Sequence, residues 1–210
     1  MKKYLAETIG TFILVFCGTA AIVSNDISGG KVTHVGVSLV FGLVVMAMIH
    51  AVGDVSGAHL NPAITLAFAA ARRIELPQVL PYIGSQFAGA FAASALLRLL
   101  FVHPTLGATL PSGWWCQSFA MEVLMTAILM FVVMSVADGP KEKGLLAAVA
   151  IGGVIALEAL LAGPISGASM NPARSLAPAV VSGSLQYFWI YLTAPVLGAL
   201  LGVGAHKAIR

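Results

Sequence analysis

The sequence predicts an all-α membrane protein: six transmembrane helices plus two re-entrant half-helices, built as an inverted repeat. Three observations carry this. Of 210 residues, 59% are hydrophobic and 9% charged, whereas a soluble domain carries about a quarter charged residues. Six apolar stretches come close to the roughly 20 residues that cross the hydrocarbon core. One short motif occurs twice: residues 56–66 read Ser-Gly-Ala-His-Leu-Asn-Pro-Ala-Ile-Thr-Leu, and residues 166–176 read Ser-Gly-Ala-Ser-Met-Asn-Pro-Ala-Arg-Ser-Leu.

Taken in order, the full spans are expected over 4–24, 34–52, 79–101, 117–137, 145–163 and 186–206. The first follows Met1-Lys2-Lys3 and resembles a signal peptide at its start. Glu7 interrupts the apolar run early, however, and the run continues to Val23, so it reads as a retained span. Each copy of the motif follows a full span and opens a run too short to cross. Asn is among the best N-caps, and Pro suits the first helical position, where its missing N–H costs nothing. Asn61-Pro62 and Asn171-Pro172 therefore start half-helices over 61–71 and 171–181. Non-helical backbone at membrane depth survives only against protein or a water-filled cavity, so the repeat points to a pore. Small residues (Gly84-Ser85, Gly89-Ala90, Gly198-Ala199, Gly202, Gly204) supply close helix packing. The connections 25–33, 103–115 and 138–143 are short, leaving one transmembrane domain over 1–210.

The repetition extends past the motif. Glu7-Thr-Ile-Gly-Thr11 matches Glu122-Val-Leu-Met-Thr126 at an offset of 115, the asparagines repeat at 110, and Tyr82 with Gly89 returns as Tyr191 with Gly198 at 109. The copies run over about 4–101 and 117–206. Each contains an odd number of crossings, so the second is inserted upside down and the half-helix N-termini meet at the midplane. Lys2, Lys3, Arg72, Arg73, Lys141, Lys143, Lys207 and Arg210 fall on one side, and Lys31 and Arg98 on the other. The excess of basic residues places both termini in the cytoplasm.

Several side chains carry chemistry. Asn61 and Asn171 cap their helices with the amide oxygen, leaving N–H donors to face the pore centre. There the half-helix dipoles also point their positive ends, each worth roughly +0.5 charge. The carbonyls of Gly57, Ala58, His59, Gly167, Ala168 and Ser169 are candidates for an acceptor ladder. His59 is either a pH sensor or a histidine bonded within its loop. Arg174 is the one cation in its apolar segment and must face water or partners; it either lines the pore or anchors a loop. Glu7 and Glu122 sit at equivalent repeat positions and either relay protons or accept from backbone N–H groups of their own loops. Glu158 has Met48 as its counterpart, and its role stays open between loop support, a subunit contact and a functional one. Cys17 and Cys116 make no disulfide framework.

The two Asn-Pro-Ala boxes (Asn61, Pro62, Ala63; Asn171, Pro172, Ala173), the paired glutamates and Arg174 after the second box resemble the aquaporin family over essentially the whole chain. The resemblance implies a right-handed six-helix bundle, one pore per subunit and a homotetramer. It also assigns an outer constriction, by counting back from the boxes, to Phe41, Ala159, Ala168 and Arg174. Water-selective members carry a His where this chain has Ala159, which points away from strict water selectivity. Ser175 and Ala179 match water channels rather than glycerol facilitators. Tyr191-Leu192 and Gly163-Pro-Ile-Ser-Gly-Ala-Ser-Met170 resemble the plant nodulin-like branch, whose members pass small uncharged solutes.

The expectation is thus a passive channel in the cell membrane for water and small neutral solutes: glycerol-like polyols and undissociated metalloid acids, with protons and ions excluded. A strictly water-selective pore is the alternative. An ion-coupled secondary transporter would need a coupling site, and the spans show no pair of pore-facing carboxylates. No Ser/His/Asp set or HExxH signature suggests an enzyme. No cofactor or metal is required, and the net charge of +3 is spread over loops and ends rather than forming a nucleic-acid footprint.

Overall fold

The computed structural model describes residues 1–137 and 146–210. In chain order its helices are α1 (Lys2–Ile27), α2 (Thr33–Ser56), α3 (Pro62–Ala70), α4 (Leu76–Leu100), α5 (Trp115–Ala137), α6 (Ala147–Ser166), α7 (Pro172–Ser182) and α8 (Phe188–Ala208). Six are long and apolar enough to cross a membrane. The exceptions, α3 and α7, have 9 and 11 residues and cannot cross a core that needs about 20. The connection expected over 138–143, with Lys141 and Lys143, lies outside the described residues.

The main departures from the expected boundaries are at the ends of α2 and α6, which run on to Ser56 and Ser166 rather than stopping at 52 and 163. Each stops one residue later at a left-handed glycine, Gly57 (φ 84°) and Gly167 (φ 86°), whose N–H returns to Gly53 and Gly163. That geometry suits glycine alone. Pro164 lies in the last turn of α6, where a proline removes only one hydrogen bond.

The two halves pack alike. In the first, α1 lies against α2 and α4; in the second, α5 lies against α6 and α8; and α2 meets α6 across the join. The half-helices cross over, each touching both α4 and α8. Glycines set the closest approaches. A Cβ on Gly89 would overlap the Thr8 carbonyl oxygen, and one on its repeat partner Gly198 would overlap that of Val123. Gly42 and Gly152 do the same for α2 and α6, each Cβ falling within 2.6 Å of the other's carbonyl oxygen. Gly84 and Gly204 were expected to play this part as well, but a Cβ on either meets open space. Outside this core, Trp115 and Trp189 stack edge-on, 5.4 Å apart, as suits an aromatic pair at a membrane surface. Cys17 and Cys116 are free and half-buried.

Gly89→Ala should therefore destabilise by about 1–3 kcal/mol, because the α1 backbone must move to admit a methyl group. Gly84→Ala should be neutral or mildly stabilising. Thermal unfolding of the two variants in one detergent checks the contrast.

Candidate functional site

The two motif loops meet face to face. Asn61 is extended (φ −156°) and its side-chain oxygen accepts from Ala63 N at 2.9 Å. Asn171 accepts from Ala173 N at 3.0 Å and from Arg174 N at 3.4 Å. Each amide nitrogen then reaches across. Asn61 Nδ2 donates to the Met170 carbonyl at 2.7 Å, and Asn171 Nδ2 donates to the Leu60 carbonyl at 2.8 Å. An amide has two N–H groups. One of each pair therefore ties the loops together and one remains, whereas the sequence reading left both free.

The loop backbones are strained in the same way in both copies. Ala58 (φ 48°) and Leu60 (φ 51°) match Ala168 (φ 45°) and Met170 (φ 53°), all in the left-handed region that side chains avoid. Buried carboxylates hold these conformations. Glu7 is fully buried and accepts from Ser56 Oγ (2.7 Å) and His59 N (3.0 Å) on one oxygen, and from Leu60 N (2.7 Å) and Gln86 Nε2 (2.8 Å) on the other. Glu122, also fully buried, accepts from Ser166 Oγ (2.7 Å), Ser169 N (2.8 Å) and Met170 N (2.8 Å). Every one of these partners is a donor. Ser56 and Ser166 pass the support on, each hydroxyl accepting from the N–H of Ala58 or Ala168. Tyr82 and Tyr191 donate to the carbonyls of Ser56 and Ser166, at 2.8 and 2.6 Å. The motif and the repeat contained both serines and both tyrosines, but not their roles.

With these groups engaged, no donor among the described residues reaches the carbonyls of Gly57, Ala58, His59, Gly167, Ala168 or Ser169. The loops differ in how they brace their helices. In the first, the Thr65 hydroxyl donates to the Asn61 carbonyl (3.0 Å) and receives Gln86 Nε2 (2.9 Å), so His59 Nδ1, 3.1 Å away, carries its proton and donates. In the second, Ser169 and Ser175 share a short hydroxyl contact, and Thr109 donates to Ser175 at 2.7 Å. His59 is thus bonded to the half-helix that follows its loop, and its ring lies against those of Phe68 and Tyr82.

Arg174 is 2% exposed. Its Nη1 donates to the Gly107 carbonyl at 2.9 Å, its guanidinium carbon sits 4.9 Å from the centre of the Phe41 ring, and its Nε has no partner among the described residues. The loop carrying Gly107 is tied down by a cluster absent from the sequence reading. His103 Nδ1 accepts from Leu106 N (3.1 Å), so Nε2 is the nitrogen that donates to Asp26 (3.2 Å), while Arg98 donates to the His103 carbonyl (3.0 Å). Gly107 itself presses on Thr19 of α1, where a Cβ would lie 3.1 Å away. The loop repeats nothing elsewhere in the chain, and so gave no sequence signal.

Two cavities adjoin the loops. One, of about 200 Å³, is bounded by both asparagines, Gly57 to Leu60, Ser169, Met170 and an apolar wall that includes Leu129, Val133 and Ile155. The other, of about 300 Å³, is bounded by Asn25, His34, Ser38, Ala108 and Gly167 among others. Among the described residues, four border both: Phe41, Ala159, Ala168 and Arg174. They form the waist between the cavities. Pro62, Ala63, Pro172 and Ala173 are buried in the first turns of the half-helices and border neither. Glu158 borders neither as well; it is 1% exposed, and both its oxygens lack partners among the described residues. It touches neither loop by a hydrogen bond, and it is not on the outer surface.

Because Glu122 takes three donors, Gln there should lose the Met170 bond and oppose N–H to N–H. That costs about 1–3 kcal/mol. Ala should cost at least as much again, and thermal melting of both variants checks the order. His103→Ala, which frees the turn at Leu106-Gly107, should lower solute permeability while leaving the half-helix caps intact. Proteoliposome shrinkage measures that loss.

Comparison with known proteins gives the family and the fold. The family model described as major intrinsic protein matches residues 1–206. Aquaporin NIP1-1 of Oryza sativa subsp. japonica is 47% identical over 212 residues, covering 100% of this chain and 75% of the relative. Nodulin-26 of Glycine max is 43% identical, covering 100% of this chain and 78% of the relative. The X-ray structure of the aquaglyceroporin from Plasmodium falciparum superposes with a TM-score of 0.86 at 23% identity, over 99% of this chain and 96% of that one, which establishes the likeness of fold. The chain belongs to the major intrinsic protein family and is a membrane channel, not an enzyme.

Proposed function

We propose that the channel passes water together with small uncharged solutes, glycerol-like polyols and undissociated metalloid acids, and turns back protons and ions. The observation that carries this is the waist: among the described residues, Phe41, Ala159, Ala168 and Arg174 alone border both cavities. Two of the four are alanines, so much of the waist is short and apolar. A polyol or a planar acid needs one face hydrogen-bonded and one face against carbon. Arg174 and the undonated carbonyls of Gly57, Ala58, His59, Gly167, Ala168 and Ser169 supply the first, and Phe41 with the alanines supplies the second. The spare amide N–H groups of Asn61 and Asn171 and the N-terminal ends of α3 and α7 form a donor-rich, positive centre. A hydroxyl is welcome there and a cation is repelled. Ions lose hydration that one arginine and a few carbonyls do not replace. Glu7 and Glu122 act as loop supports rather than proton relays, since both oxygens of each accept from donors of the loops and their neighbours.

The relatives named aquaporin support the channel reading for this chain. As further parts of the proposal, the chain is one channel domain over 1–210 with repeats over about 4–101 and 117–206, and it sits in the cell membrane as a homotetramer. Both termini are cytoplasmic. The basic residues support that orientation: Lys3 Nζ donates to Gln78 Oε1 at 2.6 Å, bringing the amino terminus beside the Arg72-Arg73 connection.

Ala159→His should narrow the waist and add a donor. Glycerol and boric acid permeability should fall by about tenfold or more while water permeability changes less, because a wider solute loses its apolar wall first. Parallel stopped-flow shrinkage of proteoliposomes measures all three. Equal losses, or a parent that rejects every solute larger than water, would favour the strictly water-selective pore.

A further inference from the structure

Pro164 lies inside α6, and a proline has no backbone N–H. The carbonyl four residues earlier, that of Leu160, is therefore left without its helical donor. His34, in the first turn of α2, fills the gap: its Nε2 lies 2.7 Å from the Leu160 oxygen. A carbonyl only accepts, so Nε2 carries the proton. Residue 163 must be glycine for the ring to lie there, because a Cβ would come within 2.7 Å of His34 Cε1. The tie is placed where it matters. Leu160 directly follows Ala159 in the waist, Phe41 stands two turns along from His34 on α2, and His34 and Gly163 border the outer cavity with both of them. The helices already touch at Gly42 and Gly152, and His34 adds a second contact nearer the mouth. At the repeat offset of 110, Leu160 and Pro164 correspond to His50 and Asp54. The first copy lacks the proline and needs no such donor.

We propose that His34 is a positioning residue for the waist: it supplies the donor that Pro164 withholds from Leu160 and so fixes the α6 wall at Ala159 against the α2 wall at Phe41. The idea builds on the waist described under the proposed function, but its test does not depend on which solute passes. A phenylalanine at 34 keeps the ring in the notch at Gly163 and gives no donor. A glutamine keeps a donor at similar reach. Pro164→Ala restores the backbone N–H, so the Leu160 carbonyl is satisfied within its own helix and His34 becomes dispensable.

The experiment measures water and glycerol permeability of the full chain in proteoliposomes for the parent, His34→Phe, His34→Gln, Pro164→Ala and the double variant His34→Phe/Pro164→Ala. His34→Phe should shift the glycerol-to-water ratio by about fivefold, the population factor that one unmade hydrogen bond carries. His34→Gln should stay near the parent, and the double variant should match Pro164→Ala alone. If His34→Phe fails to fold, recovery of folded protein in the double variant is the same result read on yield. An unchanged ratio in His34→Phe overturns the proposal, as does an equal loss with and without Pro164. A parent that passes water but no glycerol refutes the solute reading instead, and the same dependence on residue 164 is then read on water permeability.

Discussion

The structure depends on a reciprocal pair of hydrogen bonds, from the Asn61 amide to the Met170 carbonyl and from the Asn171 amide to the Leu60 carbonyl. A break in a helix at membrane depth exposes backbone groups that lipid cannot satisfy. Two such breaks brought together supply part of what each lacks. The rest comes from side chains that arrive from other helices: Glu7, itself braced by Gln86, for the first loop, and Glu122 for the second. Once those donors are engaged, no donor among the described residues reaches the carbonyls of Gly57 to His59 and Gly167 to Ser169, which face a passing solute or water instead. The pore is thus the remainder of a nearly closed hydrogen-bond account.

The copies share their supports but not their chemistry. At the repeat offset of 110, Arg174 stands where the first copy has Ile64, and Ser169 and Ser175 stand where it has His59 and Thr65. One mouth therefore carries a guanidinium braced by Gly107 and Phe41, and the other an imidazole packed against aromatic rings. A symmetric scaffold holds an asymmetric pore, with a guanidinium at the waist.

Much of this was legible in the sequence because it repeats. The doubled boxes located both half-helices, and the paired glutamates announced themselves by position. The contacts that stayed hidden come from unrepeated places. Gln86 has Pro195 as its counterpart, and the loop with His103 and Gly107 has none. The His34 tie exists only because Pro164 removes one N–H, an effect that no periodicity displays. The cross-loop bonds were missed for a different reason: capping chemistry predicts the amide oxygen's partner, whereas the nitrogen's partner depends on how two distant loops meet. The left-handed angles at Ala58, Leu60, Ala168 and Met170 are likewise imposed by the carboxylates rather than by residue type.

The measurement that bears most directly on this account is a double-mutant cycle on Asn61→Asp and Asn171→Asp, read by thermal melting and by water permeability. Aspartate keeps the capping oxygen and removes the donor. If the loops hold each other, breaking one bond releases both. The double variant should then be little worse than either single one, with a coupling of about 1 kcal/mol or more. Losses that simply add, in variants that still conduct as the parent does, would contradict it.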